Sequence, residues 1–166
     1  MTETKIASAD LAGKYLTFRV SEEDYGIQIL KVQEIIRLQS ITKVPKAPDS
    51  VRGVINLRGK VIPVMQLRKK FGLPEVDDTE RTCIIVVQIG RENNNTTMGI
   101  MIDEVKEVVD IRAENIEETP SFGENINIDF ILGIGKIGDR LKILIDIDKV
   151  MSNKEIIDIS QITKAA

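Results

Sequence analysis

An all-β fold is predicted for this 166-residue chain: two five-stranded SH3-like barrels related by pseudo-twofold symmetry, with short helices at the linkers and C-terminus. Three observations carry the prediction. The first is a repeat. The run YGIQILKVQEIIRLQSITKVPKAPDSVRGVINLRGKVIPVMQLRKKF, residues 25–71, recurs in the second half as a looser copy. At an offset of 73, Gly26, Ile27, Ile29, Val32, Glu34, Ile35 and Ile36 fall on Gly99, Ile100, Ile102, Val105, Glu107, Val108 and Val109. At an offset of 80, Gly53, Val54, Leu57, Val61, Val64 and Leu67 fall on Gly133, Ile134, Ile137, Leu141, Leu144 and Ile147. Apolar patterns repeated in the same order indicate an internal duplication, with a connecting loop seven residues longer in the second copy. The second observation is composition: two Tyr, four Phe and no Trp leave a core of Ile, Val and Leu, which suits a pleated, half-buried surface. The third is punctuation, since turn residues divide each copy into five short apolar runs. Five short strands can close into a small barrel, which removes exposed sheet edges.

Taken in order, residues 1–13 are small and polar, fitting a loose tail or a short helix. Residues 15–20 alternate as a half-buried strand, Ser21–Asp24 form a turn, and residues 25–30 return as the second strand of a hairpin. Residues 31–37 fit a strand with a bulge or bend that leaves Glu34 and Arg37 at the surface. Residues 40–50 are a loop, because Pro45 and Pro48 lack backbone donors and push the residues before them to extended geometry. Strands 51–57 and 60–67 meet at Arg58-Gly59, where glycine supplies the positive φ of a tight hairpin. Pro63 inside the second of these argues for an edge or a bulge. Arg68–Phe71 makes a short helix stopped by Gly72 and Pro74, and residues 74–80 link the copies. The second copy supplies strands 82–89, 98–103, 105–111, 128–134 and 141–147. Between them lie a polar loop at 90–97, a long connector at 112–127 and a Gly135–Asp139 turn; a helical turn follows at 148–151. Ile156, Ile157, Ile159 and Ile162 suit a short C-terminal helix.

The formal charge is −3 with both signs interspersed, so the concentrated positive stripe and stacking aromatics of a nucleic-acid binder are not in view. No apolar run reaches the roughly 18–20 residues that cross a bilayer, and the N-terminus lacks a basic-then-apolar signal layout. The lone Cys83 reads as a small buried hydrophobe. These features point to the cytoplasm. The complete absence of histidine removes the usual general base, the His-dependent nucleophile systems and imidazole metal ligation.

Asp146 and Asp148, two apart on a strand, would share a face as an acid–base pair should, but capping of the following helical turn is the preferred reading. Gly135-x-x-Gly138 lacks the Lys and Ser/Thr of a phosphate loop and reads as a hairpin turn. Glu34 and Arg58 stand at strand or turn ends beside Val32, Ile35 and Leu57. Spacing alone makes them two solvated surface charges.

YGIQILKVQEI, then VPKAPDSVRGVINLRGKVIPVMQLRKKFG, MGIMIDEVKEVV and FILGIGKIGDRLKILIDIDKV, closely resemble the CheW family of bacterial chemotaxis coupling proteins over roughly residues 14–151. The resemblance implies a first barrel at about 14–73 and a second at about 81–151, with strand exchange between them possible, a tail at 1–13 and a C-terminal helix or tail at 152–166. It implies an adaptor without catalytic activity, cofactor or metal. It also implies two partners, the cytoplasmic hairpin tip of methyl-accepting receptors and the regulatory CheW-like domain of the histidine kinase CheA, with which it alternates in rings at membrane receptor arrays. By motif position, Glu34 and Arg58 match residues tied to receptor or kinase coupling. Val32, Gly53 and Gly59 match neighbouring positions, and Ile29, Ile102 and Val105 would line a groove between the barrels. Phe122 matches an aromatic that touches the kinase-side partner in rings, and Glu117 departs from relatives that carry a basic residue there. A CheW-like module regulating another sensory kinase pathway is the alternative.

Overall fold

The computed structural model describes residues 8–90, 96–119 and 129–150. Within them the chain forms β1 (Gly13–Val20), β2 (Glu23–Gln28), β3 (Val32–Arg37), β4 (Val51–Leu57), β5 (Lys60–Gln66), β6 (Cys83–Ile89), β7 (Thr96–Ile102), β8 (Glu104–Ile111), β9 (Ile116–Glu117), β10 (Ile131–Ile137) and β11 (Arg140–Ile145). Short helices α1 (Ser8–Leu11), α2 (Leu67–Lys70) and α3 (Ile147–Val150) sit at the ends of these runs. No helix among the described residues is long and apolar enough to cross a membrane. The C-terminal helix expected at 154–162 lies outside the described residues, as does most of the loop at 90–97.

The strands make two sheets, ordered β3-β6-β7-β5-β4 and β8-β1-β2-β11-β10-β9. Each closes on itself. In the first, the chain leaving β3 returns along β4 through paired backbone bonds between Thr42 and Val54 (2.9 and 2.8 Å). In the second, the chain leaving β8 returns as β9 against β10. That short β9 lies in the connector where no strand was expected.

Sheet membership does not follow the boundary between residues 14–73 and 81–151. Hairpin β1–β2 from the first half completes the second barrel, and hairpin β6–β7 from the second half completes the first. The joins are parallel pairings, Gly26 opposite Leu144 and Gly99 opposite Val64. These residues are related by the same offsets of 73 and 80 that mark the repeat in sequence.

Exchange explains the core. Along β6, Ile84 and Val86 fill the interior of the first barrel, while Ile85, Val87 and Ile89 on the opposite face join a central cluster built from both sheets. Both faces of the strand are dry, so its sequence is an unbroken apolar run rather than an alternation. The second barrel is filled by Leu11, Tyr15, Ile111, Ile116 and Leu144. Four aromatics form a row along the central cluster: Phe18–Tyr25, Tyr25–Phe71 and Phe71–Phe130 have ring centroids 5.9, 5.2 and 5.3 Å apart.

Ion pairs clamp the two exchange points with opposite polarity. Behind β5, Arg68 Nε and Nη2 donate to the Asp103 carboxylate at 2.9–3.2 Å, and that carboxylate also accepts the Ser21 N–H at 2.7 Å. At the equivalent place behind β11, Asp148 accepts from Lys31 at 2.6 Å and from the Gly90 N–H at 3.2 Å. The Asp146 and Asp148 carboxylates are thereby structural, since Asp146 also accepts the Asp148 N–H at 3.1 Å and so caps α3.

Other boundaries shift for local reasons. Strand β2 starts at Glu23 and stops at Gln28, and Ile29–Lys31 form a 3-10 turn where continuous strand was expected. Strand β10 runs through Gly135 to Ile137, so its hairpin turn is Gly138-Asp139 alone. Pro63 lies in the interior strand β5, tolerated because the ladder to β7 begins one residue later at Val64.

A close approach makes two glycines structural. A Cβ on Gly53 would lie 2.2 Å from the Thr42 carbonyl oxygen, and one on its repeat partner Gly133 would lie 2.9 Å from the Glu117 carbonyl oxygen. Gly53→Ala should therefore destabilise the fold by about 3 kcal/mol and Gly133→Ala by about 1 kcal/mol, in denaturant titrations. Equal effects would show that barrel closure does not depend on these contacts.

Candidate functional site

Leu57 pairs with Lys60, which leaves Arg58-Gly59 as a two-residue hairpin turn with φ of +52° and +89°. Positive φ at both positions is the geometry that matches the twist of the flanking strands. A non-glycine residue rarely occupies it, and Asn56 Oδ1 helps hold it by accepting the Gly59 N–H at 2.8 Å. The turn aims Arg58 at β3. There the β3–β6 register slips between Val32 and Glu34, a bulge at Gln33 that sets the direction of the Glu34 side chain.

The two groups meet in a fork. Arg58 Nη1 donates to Glu34 Oε1 at 3.0 Å and Nη2 to Oε2. The Arg58 hydrogen bond and charge hold the Glu34 carboxyl below its ordinary value, and the same bond raises the guanidinium. Arg58 is 66 % exposed and Glu34 27 %, so the pair is a fixed surface feature with donors left over for a partner.

Apolar side chains near Glu34 in sequence, and Val105 on β8, divide between half-buried and exposed. Ile29, Val32 and Val105 are half-buried at the margin of the central cluster. Leu30 is 95 % exposed and Ile35 is 45 % exposed. Reading residues 25–30 as a strand hid Leu30, because the 3-10 turn at Ile29–Lys31 is what throws it outward. In sequence, Val32, Ile35 and Ile36 suit a helix face as well as a strand over residues 30–38, and that ambiguity is the one available signal.

Other expected residues fall elsewhere. Ile102 is 1 % exposed within the core, so its side chain is not offered to a groove. Gly53 stands at the far end of β4 from Arg58 and serves barrel closure, while Gly59 belongs to the turn itself. Glu117, on β9 of the second barrel, is ion-paired with Lys136. Phe122 lies outside the described residues.

Two closed barrels locked by exchanged hairpins, with an ordered ion pair and the exposed Leu30 and Ile35 at the surface, have the features of a protein-binding scaffold rather than of a catalytic pocket. The chain belongs to the CheW-like family, whose model, the CheW-like domain, matches residues 14–155. It is similar to the chemotaxis protein CheW of Klebsiella aerogenes, with 35% identity over 164 residues, 99% of this chain and 96% of the relative. The chemotaxis protein CheW of Treponema pallidum is 32% identical over 145 residues, 85% of this chain and 83% of that one. Among solved structures, the scaffolding protein TtCheW of Thermoanaerobacter tengcongensis superposes with a TM-score of 0.75 at 35% identity, covering 87% of this chain and 95% of that one.

The Glu34–Arg58 fork contributes above the ordinary glutamate value and is lost as pH falls through the lowered value of Glu34. In an NMR titration, Arg58→Ala should move the Glu34 midpoint back up toward that of a free glutamate. Identical midpoints in the two proteins would show that the pair is not formed in solution.

Proposed function

We propose that this protein is a non-enzymatic chemotaxis adaptor that couples methyl-accepting receptors to the histidine kinase CheA. The observation that carries the reading is the fixed Glu34–Arg58 fork on β3 and the β4–β5 turn, with the exposed Leu30 and Ile35 on the same short stretch of chain as Glu34. An apolar centre with a charged rim is the anatomy of a specific protein interface. Here the exposed Leu30 supplies the apolar anchor, and the fork supplies orientation. An adaptor must hold two partners at once without deforming, and two barrels locked by exchanged hairpins provide that rigidity.

On this reading the receptor's cytoplasmic hairpin tip and the regulatory CheW-like domain of the kinase occupy different faces. The protein works in the cytoplasm at membrane receptor arrays, where adaptor and kinase domains alternate in rings. Glu117 and Phe122 belong to a second, kinase-side contact on the other barrel. No cofactor or metal takes part.

The test is a pull-down with a receptor-tip fragment and the kinase regulatory domain, separately and together. Both should be retained simultaneously by the wild type. Glu34→Lys replaces an attractive pair by two cations and should weaken capture of at least one partner tenfold or more, with the unfolding midpoint within a few degrees of wild type. Undiminished capture of both partners by the variant would remove this surface from the interface.

A further inference from the structure

At the opposite end of β4 from Arg58, about 20 Å away by strand rise, a second charged feature faces solvent. Loop 43–52 and the inter-repeat linker enclose a cleft of about 550 Å³. Arg52 grips Asp78 of the linker in a fork at 3.0 and 2.8 Å, a bond that raises the guanidinium above its ordinary value, and Lys69 reaches Glu75 at 3.5 Å. On the other side of the Arg52–Asp78 bridge is a second cleft of about 380 Å³, and Lys43, Arg52 and Asp78 line both. The bridge is the partition between them.

Two details set this cleft apart from an ordinary ion-paired surface. Lys43 and Lys46 line it without a carboxylate partner among the described residues. Lys46 also holds φ of +64°, at the third position of a turn that begins Val44-Pro45 and closes with the Ala47 N–H on the Val44 carbonyl at 3.4 Å. Proline second and a left-handed third residue is a type II arrangement, where glycine is the unstrained choice. The chain instead places a long cation there and bears the conformational cost, and strain of this kind collects at binding sites.

We propose that this cleft is a second binding site, for an acidic, extended peptide segment of a partner protein, and that Glu75, Asp77 and Asp78 occupy it in the free protein. Charge complementarity names the occupant. With the linker lifted away, Lys43, Lys46, Arg52 and Lys69 face Asp49 alone among the charged lining residues. The linker already shows the binding mode, since residues 73–79 have no regular secondary structure and their Glu75 and Asp78 carboxylates engage Lys69 and Arg52. Its ion pairs are solvent-accessible, about one third exposed at Arg52–Asp78 and more at Lys69–Glu75, so a competing carboxylate can exchange with them at modest net cost. No aromatic side chain lines either cleft, which leaves nothing for a nucleic-acid base to stack on. Displacing Asp78 joins the two clefts into one groove along the loop, so occupancy would also free the linker between the repeats. The site shares no residue with the Glu34–Arg58 surface and stands or falls separately from it.

The probe is a synthetic peptide with the sequence of residues 73–80, LPEVDDTE, and its control is the amide version LPQVNNTQ, both titrated calorimetrically at low and raised salt. The double variant Asp77→Asn/Asp78→Asn should bind the acidic peptide at least tenfold more tightly than the wild type, and raised salt should weaken that binding. Adding Arg52→Gln should abolish it. Should the double variant lose its fold, Glu75→Gln, which frees only Lys69, should act in the same direction with a smaller gain. Lys46→Gly separates binding from folding, because it should raise the thermal midpoint by a few degrees while weakening the peptide at least threefold. Equal binding of the acidic and amide peptides, or no gain on neutralising the linker, would overturn the proposal. So would Lys46→Gly leaving affinity unchanged.

Discussion

Everything in this molecule depends on two short parallel ladders, Gly26 against Leu144 and Gly99 against Val64. Through them each barrel is completed by a hairpin from the other half of the chain. Neither half can bury its interior alone, so the repeats fold as one unit. The strands that cross over are wetted on neither face: one side lines a barrel and the other lines the cluster shared by both sheets. The two sheets therefore share one continuous core.

The repeat could be read from the chain because pseudo-symmetry preserves spacing. Offsets of 73 and 80 in the pattern of apolar residues reappear as paired residues in the ladders themselves. What spacing does not carry is partner choice. Strands β2 and β11 are more than a hundred residues apart, and nothing in Tyr25-Gly26-Ile27 says which edge it will join. Buried charge was equally silent. Asp24 read as a turn residue and Lys142 as one position of the strand 141–147, yet they pair at 2.7 Å with side chains 5% and 8% exposed. Burial alone would raise the Asp24 carboxyl, but the bond and charge of Lys142 outweigh it and leave that carboxyl lowered. Sequence periodicity reports where apolar groups go. It does not report where two opposite charges go together.

The surface built around Arg58 shows the same division. A tight turn at Arg58-Gly59 was legible, because glycine marks positive φ, but the fork to Glu34 needed a bulge at Gln33 and a turn residue held at +52°. The bulge falls within residues 31–37, where a bulge or bend was expected, but a left-handed Arg58 is a backbone irregularity invisible to a pattern of period two. Leu30 escaped for a related reason, since three residues of 3-10 turn reverse the face on which a strand would have placed it. Residue spacing says least where regular geometry breaks.

The two clamps at the exchange points bear on how a duplicated chain chooses its partner. One joins a cation of the first half, Arg68, to an anion of the second, Asp103; the other joins an anion of the second half, Asp148, to a cation of the first, Lys31. A pair of first halves would bring arginine toward lysine at the matching junctions, and a pair of second halves would bring aspartate toward acidic residues. Each half therefore repels its own copy and attracts its sibling. Covalent tethering and charge sign thus favour the same pairing of unlike halves.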